Sequence, residues 1–346
     1  MSRPGLTRRE CLAVFASAAI APQVRLGATA GADATPSKPM RGAFMILSTP
    51  FTEAGAVDWA DLEREARFVD ACGAHGLVWP QGSSEVASLT KEERFKGMVI
   101  LAGGAKGRKA ALVLGVQGSD IAEMREYALR AEALAPDAMI AMPPSGAKSL
   151  DDYRAYFRAV GQLTKRPVII QTSGGAKGLT PPTDMMIALA QEYPHLGYAK
   201  EESEPLIERM KALVSHRPPM RSVFGASFGS GWLYEMRLGL DGVITGNAMY
   251  ADLMARIWEL HVRGQSMELR DAFSKFLLMR NLSQQIPGAD LYVMKKRGVF
   301  RTMMTRRSAA SGGGRARAIT ISPEEAAEID DRLEALKPYL SVRSPS

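Results

Sequence analysis

The chain of 346 residues is longer than a usual single domain, but it suits one large fold with additions at its ends. Its 46% hydrophobic and 23% charged residues are ordinary for a soluble globular protein, and beyond the N-terminus no run of 18 apolar residues exists to span a membrane. The formal charge of +7 includes +3 within residues 1–30, from Arg3, Arg8, Arg9 and Arg25 against Glu10, and the remaining +4 is too weak a bias to imply a nucleic-acid partner.

Residues 1–30 read as a targeting segment rather than as fold. Thr7-Arg8-Arg9-Glu10-Cys11-Leu12 opens a small and apolar run from Ala13 to Ala21, with Ala28-Thr29-Ala30 further on. A positive start, an apolar middle and a small-residue end make a three-part export signal, and the adjacent arginines resemble the twin-arginine type. A tail whose arginine pair is accidental is the competing reading. On the export reading, residues 31–40 are a linker and the folded protein works in the periplasm or otherwise outside the cytoplasm. Twin-arginine export moves folded proteins, which agrees with a total of two cysteines, Cys11 and Cys72, and one thiol in the mature chain. Four scattered histidines without Cys/His spacing argue against a structural zinc site.

From residue 42, apolar β-type runs alternate with helical periodicity, as a parallel α/β sheet requires. The expected strands are 43–47, 76–80, 110–116, 138–142, 167–171, 196–200, 222–225 and 242–245. The expected helices are 58–74, 91–103, 121–134, 150–163, 182–193, 204–214, 231–238 and 248–262. In the first helix Leu62, Ala66, Val69 and Cys72 share one face. Thr90-Lys91-Glu92-Glu93 reads as a capping box opening the second, and Pro181-Pro182 precede the fifth where proline is tolerated. Eight strand–helix units is the count of a closed (β/α)8 barrel of the TIM type. Gly103-Gly104 follows a helix rather than the first strand, so a dinucleotide site is rejected. The barrel is expected over 41–264, followed by a C-terminal helical extension over 265–346 with helices at 267–284, 290–303 and 323–340. Lys295, Lys296, Arg297, Arg301, Arg306, Arg307, Arg315 and Arg317 form a basic run without an acid among them. With Gly312-Gly313-Gly314 inside it, the later part reads as a flexible basic loop near 305–320.

Residues just after each strand face one mouth of such a barrel, where barrel enzymes keep their chemistry. In order they are Thr49-Pro50-Phe51, Gln81-Gly82-Ser83-Ser84-Glu85, Gln117-Gly118, Pro143-Pro144-Ser145, Thr172-Ser173-Gly174-Gly175, Lys200-Glu201, Gly225-Ala226-Ser227 and Gly246-Asn247. Gly, Ser and Thr offer amide and hydroxyl donors without bulk, which suits a small carboxylate. Lys200 closes the sixth strand after Leu196-Gly197-Tyr198-Ala199. A desolvated amine there can attack a ketone and form a Schiff base, whereas an ordinary strand-end lysine sends its ammonium to solvent. Lys148 and Lys177 are rivals, but both lie in polar loop segments that keep an amine protonated.

These residues carry a family resemblance. The ordered set Thr49-Pro50-Phe51, Gly82-Ser83-Ser84-Glu85, Lys200-Glu201 and Gly242-Val243-Ile244-Thr245-Gly246-Asn247 resembles the dihydrodipicolinate synthase / N-acetylneuraminate lyase family over roughly residues 40–304. Tyr292-Val293-Met294-Lys295 through Gly298 is similar to that family's C-terminal region. The resemblance implies a class I aldolase or lyase that makes or breaks a C–C bond of pyruvate or a related α-keto or sugar acid. It implies no metal or organic cofactor, and a homo-oligomer, tetramer or dimer. Lys200 matches the Schiff-base lysine, and Gly82 and Ser83 match the pair that holds the keto-acid carboxylate and relays a proton. Ser84, Thr49, Thr172, Gly225, Gly246 and Asn247 complete the expected substrate-binding set.

The chain also departs from the family pattern. A relay tyrosine in a Pro-Tyr-Tyr type motif is replaced by Met142-Pro143-Pro144-Ser145-Gly146, with Tyr153 and Tyr156 several residues on, inside the next helix. The usual arginine gives way to Gly146-Ala147-Lys148, and Gln171-Thr172 stands where Tyr-Asn is common. Proton transfers worth about 10²–10⁴-fold then need another carrier, for which Ser83, Ser145 or a water is available. The export reading weighs against lysine biosynthesis. Three alternatives remain: 4-hydroxy-tetrahydrodipicolinate synthase proper, a non-catalytic keto-acid-binding protein on the same scaffold, and a Schiff-base-independent enzyme that uses the mouth differently. The missing tyrosine favours the second and Lys200-Glu201 opposes it.

Overall fold

The structure is a computed structural model that describes residues 38–105, 107–307 and 315–341. The expected export signal, most of the expected linker and Gly312-Gly313-Gly314 lie outside the described residues. Eight parallel strands alternate with eight helices: β1 (Gly42–Ile46), α1 (Trp59–Ala71), β2 (Gly76–Trp79), α2 (Lys91–Gly103), β3 (Ala111–Gly115), α3 (Ile121–Leu134), β4 (Ala138–Ala141), α4 (Leu150–Leu163), β5 (Val168–Gln171), α5 (Thr183–Glu192), β6 (Tyr198–Lys200), α6 (Leu206–Ser215), β7 (Ser222–Gly225), α7 (Trp232–Arg237), β8 (Gly242–Thr245) and α8 (Ala251–Val262). Each strand pairs with the next, and β8 pairs with β1, Gly42 opposite Gly242 and Phe44 opposite Ile244, which closes the barrel. The sequence-derived (β/α)8 reading therefore holds element by element.

Side chains alternate across each strand with period two. Phe44, Val78, Val113, Ile140, Ile169, Tyr198, Phe224 and Ile244 cluster inside the barrel. Met45, Leu77, Leu112, Met139, Ile170, Val223 and Val243 pack outward under the helices. Phe44 and Phe224 meet edge to face with centroids 5.0 Å apart, and a Cβ at Gly76 would lie 2.0 Å from the Phe44 ring. Lys200 lies two residues after Tyr198, so the same alternation turns it into the mouth. The capping box of α2 forms as expected, with Thr90 and Glu93 exchanging side chain-to-amide hydrogen bonds.

The extension carries α9 (Ser266–Gln285), α10 (Ala289–Lys296) and α11 (Pro323–Leu336). The third of these was expected to run to 340 and the second to 303. α10 stops early because Gly298 takes a φ of +69° and the Val299 and Phe300 amides turn back to the Met294 carbonyl. Pro338 lacks the amide that would continue α11. The loop expected near 305–320 is corrected at both ends: β9 (Met304–Thr305) pairs antiparallel with β10 (Arg317–Ala318). The reason is charge. Arg306 donates to both Glu93 oxygens at 2.8 Å and stacks 4.6 Å over the Phe51 ring. The Thr305 hydroxyl and Arg306 amide donate to the two Glu85 oxygens at 2.6 and 2.9 Å. Arg297 forks onto Asp252 at 3.0 and 2.7 Å, and Arg301 pairs with Asp58 and Asp61. Arg297, Arg301 and Arg306 of the basic run thus find their acids on the barrel's helices and loops, while Lys296 pairs with Asp330 of α11.

One buried acid has no such partner. Glu235 on α7 is 1% exposed, and neither carboxyl oxygen has a hydrogen-bond partner among the described residues. A Cβ at Gly225 would lie 1.9 Å from its Oε2, so this glycine makes room for the carboxyl. Burial pushes the carboxyl up from 4.5 to about 7. The folded state thus binds this proton more tightly than the unfolded chain. Its stability contribution is whole below pH 4.5 and is lost as pH rises through about 7. At about 1.4 kcal/mol per pH unit, the loss is on the order of 3 kcal/mol. Glu235→Gln should lose that much less stability than the wild type between about pH 4.5 and pH 8, measured by urea unfolding. Identical pH slopes for the two proteins would contradict this.

Candidate active site

Lys200 ends β6, opposite Gln171 of β5 and Phe224 of β7, and is 5% exposed. Burial disfavours its ammonium and lowers the amine below the usual lysine range, while Glu202, 3.0 Å from Nζ, opposes that shift. A cavity of about 60 Å³ opens over the amine, lined by Ile46, Ser83, Glu202, Ser227, Phe228, Ile244, Thr245 and Gly246. A hollow of about 240 Å³ shares Ser83, Phe228 and Gly246 with it and runs out to Thr49, Glu85, Asp290, Arg307 and Arg317. The inner space suits a short acid; the outer one has room for a longer second reactant.

The ends of β5 and β6 hold two carboxylates beside the amine. Ser173 donates its hydroxyl to Glu202 Oε1 and accepts from Gln171 Nε2 at 3.1 Å. Thr172 donates to Glu201 at 2.8 Å and accepts from the Glu202 amide at 3.1 Å. Glu201 is fully buried and is matched by Arg209, whose Nη2 lies 3.0 Å from its Oε2 and donates to the Pro181 carbonyl at 2.8 Å. Two cations thus face two carboxylates in one small volume, which lets both lysine and acid stay buried.

Of the residues expected at the site, Lys200, Ser83 and Gly246 line the inner cavity. Thr49 reaches the outer hollow, and its hydroxyl donates to the Ser84 carbonyl at 2.6 Å. Ser84 is buried, donates to the Leu47 carbonyl at 2.6 Å and accepts from the Gln81 amide, so it shapes the turn beneath Ser83. Thr172 positions the glutamates. Asn247 donates to the Phe228 carbonyl at 2.8 Å and to Thr245 at 3.0 Å, bracing a neighbouring loop. Gly82 is exposed and Gly225 sits against Glu235; neither lines the cavity over Lys200. Ser145, the other hydroxyl expected as a relay, is exposed and lines neither space. Lys148 and Lys177 are exposed, as their polar segments implied.

No phenol lines either space. Tyr156 and Tyr153 of α4 pack in the helix-facing core and accept from the Gly118 and Ala176 amides at 3.0 and 2.8 Å. Burial pushes the Tyr156 phenol far up, away from useful acidity. Ser227, expected at the mouth, lines the inner cavity, as do Glu202 and Phe228, which the sequence reading did not single out. Glu202 was legible, because two residues beyond Lys200 in extended chain is the same side. Phe228 was not: it takes left-handed backbone, φ +52°, which non-glycine residues seldom announce.

Comparison with known proteins adds a family. The model of the dihydrodipicolinate synthetase family matches residues 39–307. A 4-hydroxy-tetrahydrodipicolinate synthase of Chlorobaculum parvum is 29% identical over 206 residues, 59% of this chain and 68% of that protein. A dihydrodipicolinate synthase structure from Aquifex aeolicus aligns with a TM-score of 0.74 at 21% identity, covering 87% of this chain and 99% of the other. The chloride-inhibited enzyme from Acinetobacter baumannii, solved with pyruvate, aligns with a TM-score of 0.73 at 18% identity, over 86% of this chain and 99% of that one.

Gly246 gives a direct test of the cavity. A Cβ there would lie 2.5 Å from the Ser83 hydroxyl oxygen. Gly246→Ala should weaken binding of a small α-keto acid about tenfold or more, read by calorimetric titration, with the circular dichroism spectrum kept. Wild-type affinity in that variant would place the ligand elsewhere.

Proposed function

The chain belongs to the dihydrodipicolinate synthetase family, the fold and lyase class of which it shares, and we propose that it forms an imine between Lys200 and pyruvate or a related α-keto or sugar acid. The observation that carries this reading is the Lys200 amine, buried at the floor of a cavity of about 60 Å³ and lowered by desolvation toward its neutral, nucleophilic form. Attack on the keto carbon forms a C–N bond and releases water. The resulting iminium draws electrons from the adjacent carbon, so a C–C bond two atoms away can form or break. Ser83, which lines that cavity, and nearby amides hold the carboxylate in this reading. No step in this scheme calls for a metal or organic cofactor.

The Chlorobaculum relative carries the name 4-hydroxy-tetrahydrodipicolinate synthase. Synthase activity proper is the alternative for this chain, and the missing relay phenol counts against efficient turnover of that kind. The same absence favours a non-catalytic keto-acid binder, which the lowered amine opposes. Incubation with pyruvate and borohydride should add one reduced adduct at Lys200, seen by peptide mass spectrometry, and Lys200→Ala should abolish it. No adduct across a panel of α-keto acids would remove the imine reading and leave the binder.

Export remains part of the proposal, resting on Thr7-Arg8-Arg9 and the apolar run after them. An external compartment suits scavenged keto or sugar acids better than a biosynthetic step. A homo-oligomer, dimer or tetramer, belongs to the same reading. Replacing Arg8 and Arg9 by lysine should retain the precursor in the cytoplasm, with a wild-type mature N-terminus near Gly31 by Edman sequencing. Abundant cytoplasmic wild type beginning at Met1, with none exported, would refute it.

A further inference from the structure

We infer that Glu202 is a catalytic acid–base of this enzyme, the carboxylate that carries protons to and from Lys200 and the keto oxygen in place of a phenol. This rests on the imine reading of the site and deepens it. Three observations support it. Glu202 Oε1 lies 3.0 Å from Lys200 Nζ, and Glu202 itself lines the cavity of about 60 Å³ where the reacting carbon must sit. The Ser173 hydroxyl, itself held by Gln171, and the Thr172 hydroxyl on the Glu202 amide fix the carboxylate in that place. No phenol lines the cavity, and the other lining hydroxyls, Ser83, Ser227 and Thr245, are poor acids and bases near neutrality.

The step balances with Glu202 as a shuttle. Its carboxylate first takes a proton from the Lys200 ammonium, leaving a neutral amine. The nitrogen lone pair forms a bond to the keto carbon, the C=O π pair moves to oxygen, and Glu202 returns the proton to that oxygen. The carboxylate then takes a second proton from the now cationic nitrogen and gives it to the hydroxyl, which leaves as water while the nitrogen lone pair forms the C=N bond. The three ammonium protons end as two in water and one on the iminium, and Glu202 ends as it began. Glu201 cannot substitute, since Arg209, Thr172 and the Ser203 amide already occupy it.

A purely electrostatic role makes the opposite forecast. Glu202 holds the Lys200 amine higher than burial alone would. Removing it leaves more neutral amine, which by itself would quicken attack. The test is the rate of adduct formation with pyruvate and borohydride at fixed pH. Glu202→Gln should slow it about 10²-fold or more, and formate should restore part of the rate to Glu202→Ala. If Glu202→Gln fails to fold by circular dichroism, Glu202→Asp carries the test: withdrawing the carboxylate by one methylene should slow trapping about tenfold or more. Adduct formed at the wild-type rate by the folded variant overturns the inference while leaving the imine reading intact. A wild type that forms no adduct overturns both.

Discussion

An amine kept from water is the constraint from which the site follows. A lysine in bulk solvent holds its proton and cannot attack a carbonyl, whereas full burial without a partner would leave an uncompensated charge whenever the proton returned. Lys200 sits between these limits: 5% exposed, with one carboxylate within hydrogen-bond reach. Everything around it keeps that balance. The hydroxyls of Thr172 and Ser173 restrain the two glutamates, and Arg209 neutralises the one that Lys200 does not use.

That arrangement needs β5 and β6 to end level with each other. Parallel pairing sets Gln171 opposite Lys200, so the residues that follow each strand rise side by side into the mouth. Closure through β8 and β1 brings the turn after β2 and Gly246 to the far wall. Phe228, held in left-handed backbone and tied by Asn247, stands between the small inner space and the larger outer one. Backbone held in a sparsely populated region often marks a place where the surroundings impose the geometry.

The barrel was legible because its signals are local and repeat eight times: period-two apolar runs, helix faces, and capping residues such as Thr90 with Glu93. Lys200 was legible by its place at a strand end. The division of labour among the small polar residues was not. Ser84 and Thr172 look like Ser83 in sequence, yet their hydroxyls are spent on backbone and carboxylate partners. Gly225 and Gly246 are equally bare letters, but one accommodates Glu235 on the outside of β7 and the other meets Ser83 at the cavity. Such distinctions depend on which face a residue presents and on partners tens to hundreds of positions away. The basic run misled for the same reason: its acids, Glu85, Glu93, Asp58 and Asp61, are more than 200 residues upstream.

The grip of Thr305 and Arg306 on Glu85 has a consequence for how this chain can change over time. Glu85 follows Ser83 and Ser84 directly, so the tail is fastened to the very turn that walls the cavity. A shortened or exchanged C-terminus would therefore be felt at the chemistry as well as at the periphery. A tail grafted from a relative would need to bring its own partner for Glu85.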